Sequence, residues 1–169
     1  TGAVENFFSK CAPAMFMGWS NLNFDRRMFH FNFFKGNRYP YATHSSPNSE
    51  HDGLHIARAA QTLNSETLKT ELTEAGNPSL ALESLSRMQG FDTSASHTAY
   101  VDAQNSLKVL RIIKDKHKEN WQTFLKTSTK PSVETILKND GIYSIFENIK
   151  GRNMMYLVST LHPNQCFHP

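Results

Sequence analysis

The strongest constraint on this chain is its longest apolar run, the eight residues from Ala12 to Trp19. A membrane-spanning helix needs about 20 such residues, so this run cannot supply one. The stretch from Ala14 to Trp19 is short, unbroken and without polar alternation. That pattern fits a strand covered on both faces, as in a parallel or mixed sheet. Pro13 closes a helix whose end lies over residues 5–10. Polar Ser20-Asn21-Leu22-Asn23 follows the run. A helix then begins near Asp25, where an acid suits the positive end of the helix dipole. The spacing therefore predicts strand, turn and helix, with a carboxylate at the junction.

The rest of the chain is read outward from that unit. Gly36, Pro40 and Pro47 mark residues 36–50 as loop. Asp52-Gly53 opens a short helix over residues 54–60, with Asp52 as a cap. Residues 64–76 are polar. Asn77 and Pro78 read as N-cap and first position of a helix that carries Leu80, Leu82, Leu85 and Met88 and ends at Gly90. Over residues 98–117, Ala99, Ala103, Leu107, Leu110 and Ile113 recur at spacings of three and four, which predicts one buried helical face. Trp121, Phe124 and Leu125 continue as a short helix, and Thr127 to Pro131 reads as a linker. Residues 141–146 and 154–158 then read as two β segments around a turn at Gly151. The order implies an α/β class with too few strands to complete a sheet, the others being expected before Thr1. Starting at Thr1 and ending at Pro169, the chain is expected to be a fragment, divided at residues 1–126 and 127–169.

Composition narrows the function classes. The 169 residues carry 18 Lys+Arg against 15 Asp+Glu, a formal charge of +3, which permits nucleic acid as a partner without arguing for it. With 12 Phe, 5 Tyr and 2 Trp, the chain has ample apolar surface to bury and is not a disordered segment. Cys11 and Cys166 are too few for a disulfide framework, so a reducing cytoplasmic setting is expected. With no apolar run long enough to span a bilayer, no membrane association is expected; a monomer is also expected.

Two places could carry chemistry. One is Asp25 at its strand–helix junction. The other is His97 with Asp102, at the start of the long helix. Carboxylates at such ends can hold Mg²⁺, which takes oxygen ligands, and a neighbouring His can deprotonate a water. Five helical residues turn a side chain by about 500°, so positions 97 and 102 converge only if His97 sits on the turn before the helix. Locally, Asp25 also reads as a helix cap and His97–Asp102 as a surface pair. Lys35, Arg38, Tyr39 and Tyr41 form a basic-aromatic patch suited to single-stranded DNA, or else loop anchors and solvated charges. His51 and His55 share a metal-ligand spacing but lack a third partner. Phe29, Phe31, Phe33 and Phe34 read as core, and Lys108, Arg111, Lys114, Lys116 and Lys118 as a solvated basic face.

Taken together, Asp25 and His97-Thr98-Ala99-Tyr100-Val101-Asp102 resemble the second and third motifs of the DEDDh 3′→5′ exonucleases, which have a ribonuclease-H-like fold. Between them, Asp52-Gly53-Leu54-His55-Ile56-Ala57-Arg58 is similar to the Asp-x-Leu-x-x-Ala-Arg element of that family. Within it the likeness narrows to the bacterial exodeoxyribonuclease I group. Gly18-Trp19-Ser20-Asn21-Leu22-Asn23-Phe24-Asp25 is similar to the group's Gly-Tyr-Asn-Asn-x-x-Phe-Asp. Pro40-Tyr41-Ala42 and Leu82-Glu83-Ser84-Leu85 match further segments. Gly151-Arg152-Asn153 and Leu161-His162-Pro163-Asn164 resemble the opening of its small SH3-like β-barrel. The resemblance implies a partial ribonuclease-H-like domain followed by the start of that barrel. It also implies two Mg²⁺ ions, with Mn²⁺ as a substitute, and release of nucleoside 5′-monophosphates from single-stranded DNA. Asp25 and Asp102 would be metal ligands and His97 the general base. Asn21, Lys35, Arg38 and Tyr41 would meet nucleic acid, and a single-strand-binding protein is a candidate partner. The family's first motif, Asp-x-Glu, is absent: the only acid before Asp25 is Glu5. The chain alone is accordingly expected to be inactive. The competing readings are a nuclease of the same family acting on RNA, and a binding protein that has lost the first motif.

Overall fold

The computed structural model describes residues 2–94, 98–139 and 141–160. Helix α1 (Gly2–Cys11) leads into strand β1 (Met15–Gly18). Helix α2 (Asp25–Lys35) follows, and a loop returns the chain to strand β2 (Ser49–Asp52). β2 pairs parallel to β1, Met15 opposite Ser49 and Gly18 opposite Asp52. The apolar run is therefore the parallel strand its composition implies. Its partner is all polar and was expected as the end of the loop and a helix cap. Among the described residues no third strand joins this sheet.

Helix α3 (Gly53–Leu63) starts directly from β2, and the Asp52 side chain caps it. Gly53 is required there: a Cβ at this position would lie 2.9 Å from the Gly18 carbonyl oxygen and 3.1 Å from the Trp19 ring. Helices α4 (Leu82–Met88), α5 (Ala99–Lys116), α6 (Lys118–Lys126) and α7 (Lys130–Asn139) complete the helical part. Strands β3 (Tyr143–Ile149) and β4 (Arg152–Val158) form an antiparallel hairpin. Its turn uses positive φ at Lys150 (51°) and Gly151 (82°), the conformation that matches the strands' right-handed twist. Among the described residues no helix is long and apolar enough to cross a membrane.

β1 has packing partners on both faces, with Phe16 and Met17 half-buried and Met15 left exposed. Met17 and Trp19 pack against a core of Ile56, Ala57, Ala60, Leu68, Leu80, Leu85, Val109, Leu110 and Ile113. Phe16 turns the other way and meets Phe8 of α1, ring centroids 4.8 Å apart, in an edge-to-face contact. Phe29 and Phe33 of α2 enclose Phe8 from the far side.

Four expectations are corrected. Asn77 and Pro78 do not start a helix. Pro78 forms an isolated antiparallel bridge with Leu72, and the Thr73 N–H donates to the Asn77 carbonyl, so the segment is a tight turn and α4 begins at Leu82. On α5 the buried face is Asn105, Ser106, Val109, Leu110 and Ile113, while Leu107 is 49% exposed. Two polar residues belong to that face because they find partners there; Asn105 Nδ2 donates to the Asp92 carbonyl at 3.2 Å. Phe31 and Phe34 are exposed, so only Phe29 and Phe33 of that group belong to the interior. The segment expected as linker turns helical from Lys130, as α7.

Candidate functional site

The turn from β1 into α2 is built around Asp52. This carboxylate is fully buried. Its oxygens accept from three backbone N–H groups: Ser20 at 2.8 Å, Leu22 at 3.3 Å and Leu54 at 2.9 Å. One side chain therefore caps α3 and also pins the turn that precedes Asp25. A carboxylate accepting several backbone N–H bonds is among the strongest anchors a fold can use. Ser20 takes a left-handed backbone, φ 58°, within this anchored turn.

Asp25 heads α2 at an exposed position, and among the described residues no hydrogen bond or ion pair engages its side chain. Asp102 lies in the first turn of α5, half-buried. His97 lies outside the described residues. α5 starts at Ala99 with Thr98 at its N-cap.

Asn21 is buried, and its amide is committed to β2. In one orientation Nδ2 donates to Glu50 Oε1 at 3.3 Å; turned over, it donates to the carbonyls of His51 (3.2 Å) and Gly18 (3.3 Å). Glu50 itself is buried, and burial raises its carboxyl above the ordinary range against the opposing pull of Arg26. His44 stands 3.7 Å from it and is lowered, first by burial and then by His30 and Arg26. Both shifts favour a neutral pair, and 3.7 Å is too long for a hydrogen bond.

His51 is a latch. Its Nδ1 accepts from the Asp52 N–H at 2.8 Å, so Nε2 carries the proton and donates to the Phe124 carbonyl at 2.8 Å and to Thr127 Oγ1 at 3.0 Å. It ties β2 to the end of α6, while His55 is exposed on α3. The cap role of Asp52 was read from the sequence and is borne out, whereas its hold on the Ser20 and Leu22 N–H groups and the bridging role of His51 were not. The Asp-x-Leu-x-x-Ala-Arg pattern marks the segment without saying what else the carboxylate holds.

In the basic-aromatic loop most groups have internal partners. Arg38 pairs with Glu5 of α1. Tyr39 shares a hydrogen bond with Ser45 at 2.8 Å. Tyr41 lies edge-on to His30, Tyr39 and His44. Lys35 lies 6.0 Å from the Phe31 ring centroid. On α5, Lys116 donates to the Glu66 carbonyl at 2.7 Å, and Lys108 sits 5.1 Å from the Phe91 ring.

Among the described residues no three His, Cys, Asp or Glu side chains converge to hold an ion. Asp25 and Asp102 do not by themselves form the divalent-metal site that the resemblance implies.

Comparison with known proteins bears on the whole chain. No family model matches it. It is 26% identical over 122 residues to exodeoxyribonuclease I of Haemophilus influenzae, a match covering 72% of this chain and 26% of that protein. It is 27% identical to exodeoxyribonuclease I of Buchnera aphidicola, over 96% of this chain and 37% of that protein. Among solved structures, E. coli exonuclease I in complex with a dA16 oligonucleotide matches with a TM-score of 0.79 at 19% identity, over 97% of this chain and 36% of that one. A complex of exonuclease I with the SSB C-terminus matches with a TM-score of 0.76 at 18% identity, over 98% of this chain and 37% of that one. The chain thus spans about a quarter and just over a third of the length of these two relatives.

Proposed function

Because the chain is homologous to bacterial exodeoxyribonuclease I over most of its length, we propose that it supplies part of the nuclease domain of a 3′→5′ exonuclease acting on single-stranded DNA. The observation that carries this reading is the coincidence of sequence likeness and fold over nearly all of the chain, including the β1–α2 turn that presents Asp25. In this reading Asp25 and Asp102 are acidic groups of the catalytic centre and His97 takes the proton from the attacking water. The buried Asp52 keeps the first of these in place. The hairpin β3–β4 is the opening of a following β unit with an SH3-like course.

An Asp-x-Glu pair, which the resemblance places on an earlier strand, is not among these residues. The chain by itself therefore lacks half the acidic groups such a centre uses and does not cleave DNA. The test compares the 169-residue chain with a chimera. The chimera carries, at its N-terminus, the segment that precedes the matched region of the Haemophilus influenzae relative. Both are assayed with Mg²⁺ on oligonucleotides labelled at the 5′ or the 3′ end. The chimera should shorten 5′-labelled DNA one nucleotide at a time and release nucleoside 5′-monophosphate, and His97→Ala should stop it. Cleavage by the chain alone, or a folded chimera without activity, would contradict the proposal.

A further inference from the structure

Asn21, in the turn from β1 into α2, and Glu50, on β2, are both buried and face each other. A primary amide offers two N–H donors on one side and an oxygen acceptor on the other, so its setting is read from its neighbours. With Nδ2 toward Glu50 the amide makes one contact, 3.3 Å to Oε1, and its oxygen faces the carbonyl oxygens of Gly18 and His51. Three acceptors then crowd one another. Turned over, Nδ2 donates to the His51 carbonyl at 3.2 Å and to the Gly18 carbonyl at 3.3 Å. Gly18 ends β1 and His51 lies in β2, so the turned amide ties the two strands together.

The turned setting brings the amide oxygen to the place 3.3 Å from Glu50 Oε1. Two acceptors meet there unless one carries a proton. An ionised carboxylate is repelled by the amide oxygen, whereas a carboxylic acid donates its O–H to it and closes the last few tenths of an ångström. The surroundings of Glu50 favour the acid. Its Oε2 is shut off from solvent and meets no hydrogen-bond donor among the described residues; His44 Nδ1, 3.7 Å away, is orphaned in the same way. A buried charge with an unpaired oxygen is costly, and a proton removes the charge. Burial pushes the Glu50 carboxyl up. Arg26 on α2, and an Asn21 N–H where one faces the acid, pull it down, Asp52 and Asp25 push it up again, and burial prevails. His44 is no competitor for the proton, being lowered first by burial and then by His30 and Arg26.

We propose that Asn21 and Glu50 form a proton-read switch under the β1–α2 turn. With the proton on Glu50, the Asn21 amide is turned to the Gly18 and His51 carbonyls and the turn is fastened to both strands. Loss of the proton turns the amide back toward the carboxylate and loosens the turn. Glu50 is then a positioning residue for the segment that presents Asp25, acting through a side chain where Asp52 acts on the backbone. The switch stands on this chain's own geometry; it rests on the nuclease reading only for the use that reading gives to Asp25.

The test is a pH titration of the full 169-residue chain by NMR. The side-chain carboxyl carbon of Glu50, identified by its loss in Glu50→Gln, should titrate above the ordinary 4.5. The Asn21 side-chain NH₂ and the backbone amides of Leu22 to Asp25 should move with the same midpoint. Glu50→Gln supplies an N–H in place of the acid O–H, so there these signals should stay fixed across the range. Compared at one pH above the midpoint, Asn21 side-chain exchange should be about tenfold faster or more in the parent than in Glu50→Gln. Arg26→Gln removes the opposing charge and should move the Glu50 midpoint higher. The His44 ring should titrate below 6.5. A Glu50 midpoint at or below the ordinary value, Asn21 signals that do not follow it, or a His44 ring that titrates above 6.5 and so holds the proton itself would overturn the proposal. If Glu50→Gln does not fold, the parent and Arg26→Gln decide, with the Glu50 signal assigned through its backbone. Nothing in the titration requires catalysis, so failure of the nuclease reading leaves this measurement intact. An active chimera in which the Asn21 signals ignore Glu50 would overturn the switch alone.

Discussion

The two sides of β1 are packed on different terms. Toward α3, α4 and α5 the strand meets aliphatic side chains, with Ile56 at 2% exposure and Leu85, Val109 and Ile113 at 0%. Toward α1 and α2 it meets an aromatic cluster in which Phe8 and Phe33 are buried, while Phe24, Phe31 and Phe34 are 66%, 61% and 77% exposed. Apolar content alone does not decide burial; direction does. On α2, Phe29 and Phe33 are four residues apart and share the inner face. Phe24, Met28 and Phe31 lie on a nearly opposite face, at about 100° per residue. α2 thus carries an outer apolar stripe that stays exposed alongside the inner one that is packed.

The largest effect should come from the aliphatic side. Ile113→Ala removes a fully buried side chain and should cost about 2–5 kcal/mol in urea unfolding. A loss below 1 kcal/mol would break the contrast. Asp52→Asn should come next. It keeps the shape of the carboxylate but removes its charge from three backbone donors, for about 1–3 kcal/mol and faster hydrogen exchange at the Ser20 and Leu22 amides. Unchanged exchange at those two amides would show that the turn stands without it.

Acid should weaken the polar joints that hold β2. Burial lowers His51, His44, His30 and His117 below the ordinary 6.5, so the folded chain binds fewer protons at these sites than the unfolded chain. Their contribution is complete above 6.5 and is lost as pH falls from there through the folded values. Glu50 acts in the opposite sense: its raised carboxyl favours the fold when protonated, and that advantage is lost as pH rises through its folded value. A pH series of urea midpoints should therefore fall on the acid side, and His51→Gln should flatten the slope. An identical slope would assign it to other groups. The smallest effects belong to the outer stripe of α2. Phe31→Ser and Phe34→Ser should each change stability by less than about 0.5 kcal/mol, as expected for exposed positions.

What could be read from the residues follows the same division. β1 was legible because a short unbroken apolar run has few other places to go. β2 was not, since Ser49-Glu50-His51-Asp52 contains no strand-forming pattern. It becomes a strand because β1 offers it a partner and the buried side chains of His51 and Asp52 find hydrogen-bond partners across the fold. α5 was legible as a helix but not in its rotation, because Asn105 and Ser106 are buried and Leu107 is not. At the candidate site, Asp25 and Asp102 stood out through their motifs and Asp52 was legible as a cap, whereas its hold on the turn before Asp25 appeared only when the donors at Ser20 and Leu22 came together with Leu54.

The two aspartates at this turn give the most direct test of the account, since one is buried to hold the backbone and the other is exposed at the helix start. Asp25→Asn and Asp52→Asn are each made in the chimera, and the melting temperature and the rate of single-stranded DNA degradation are measured side by side. The account predicts that Asp25→Asn abolishes degradation, by about a hundredfold or more, and leaves the melting temperature unchanged, while Asp52→Asn lowers the melting temperature. An Asp25→Asn chimera that degrades DNA at the parent rate would contradict it.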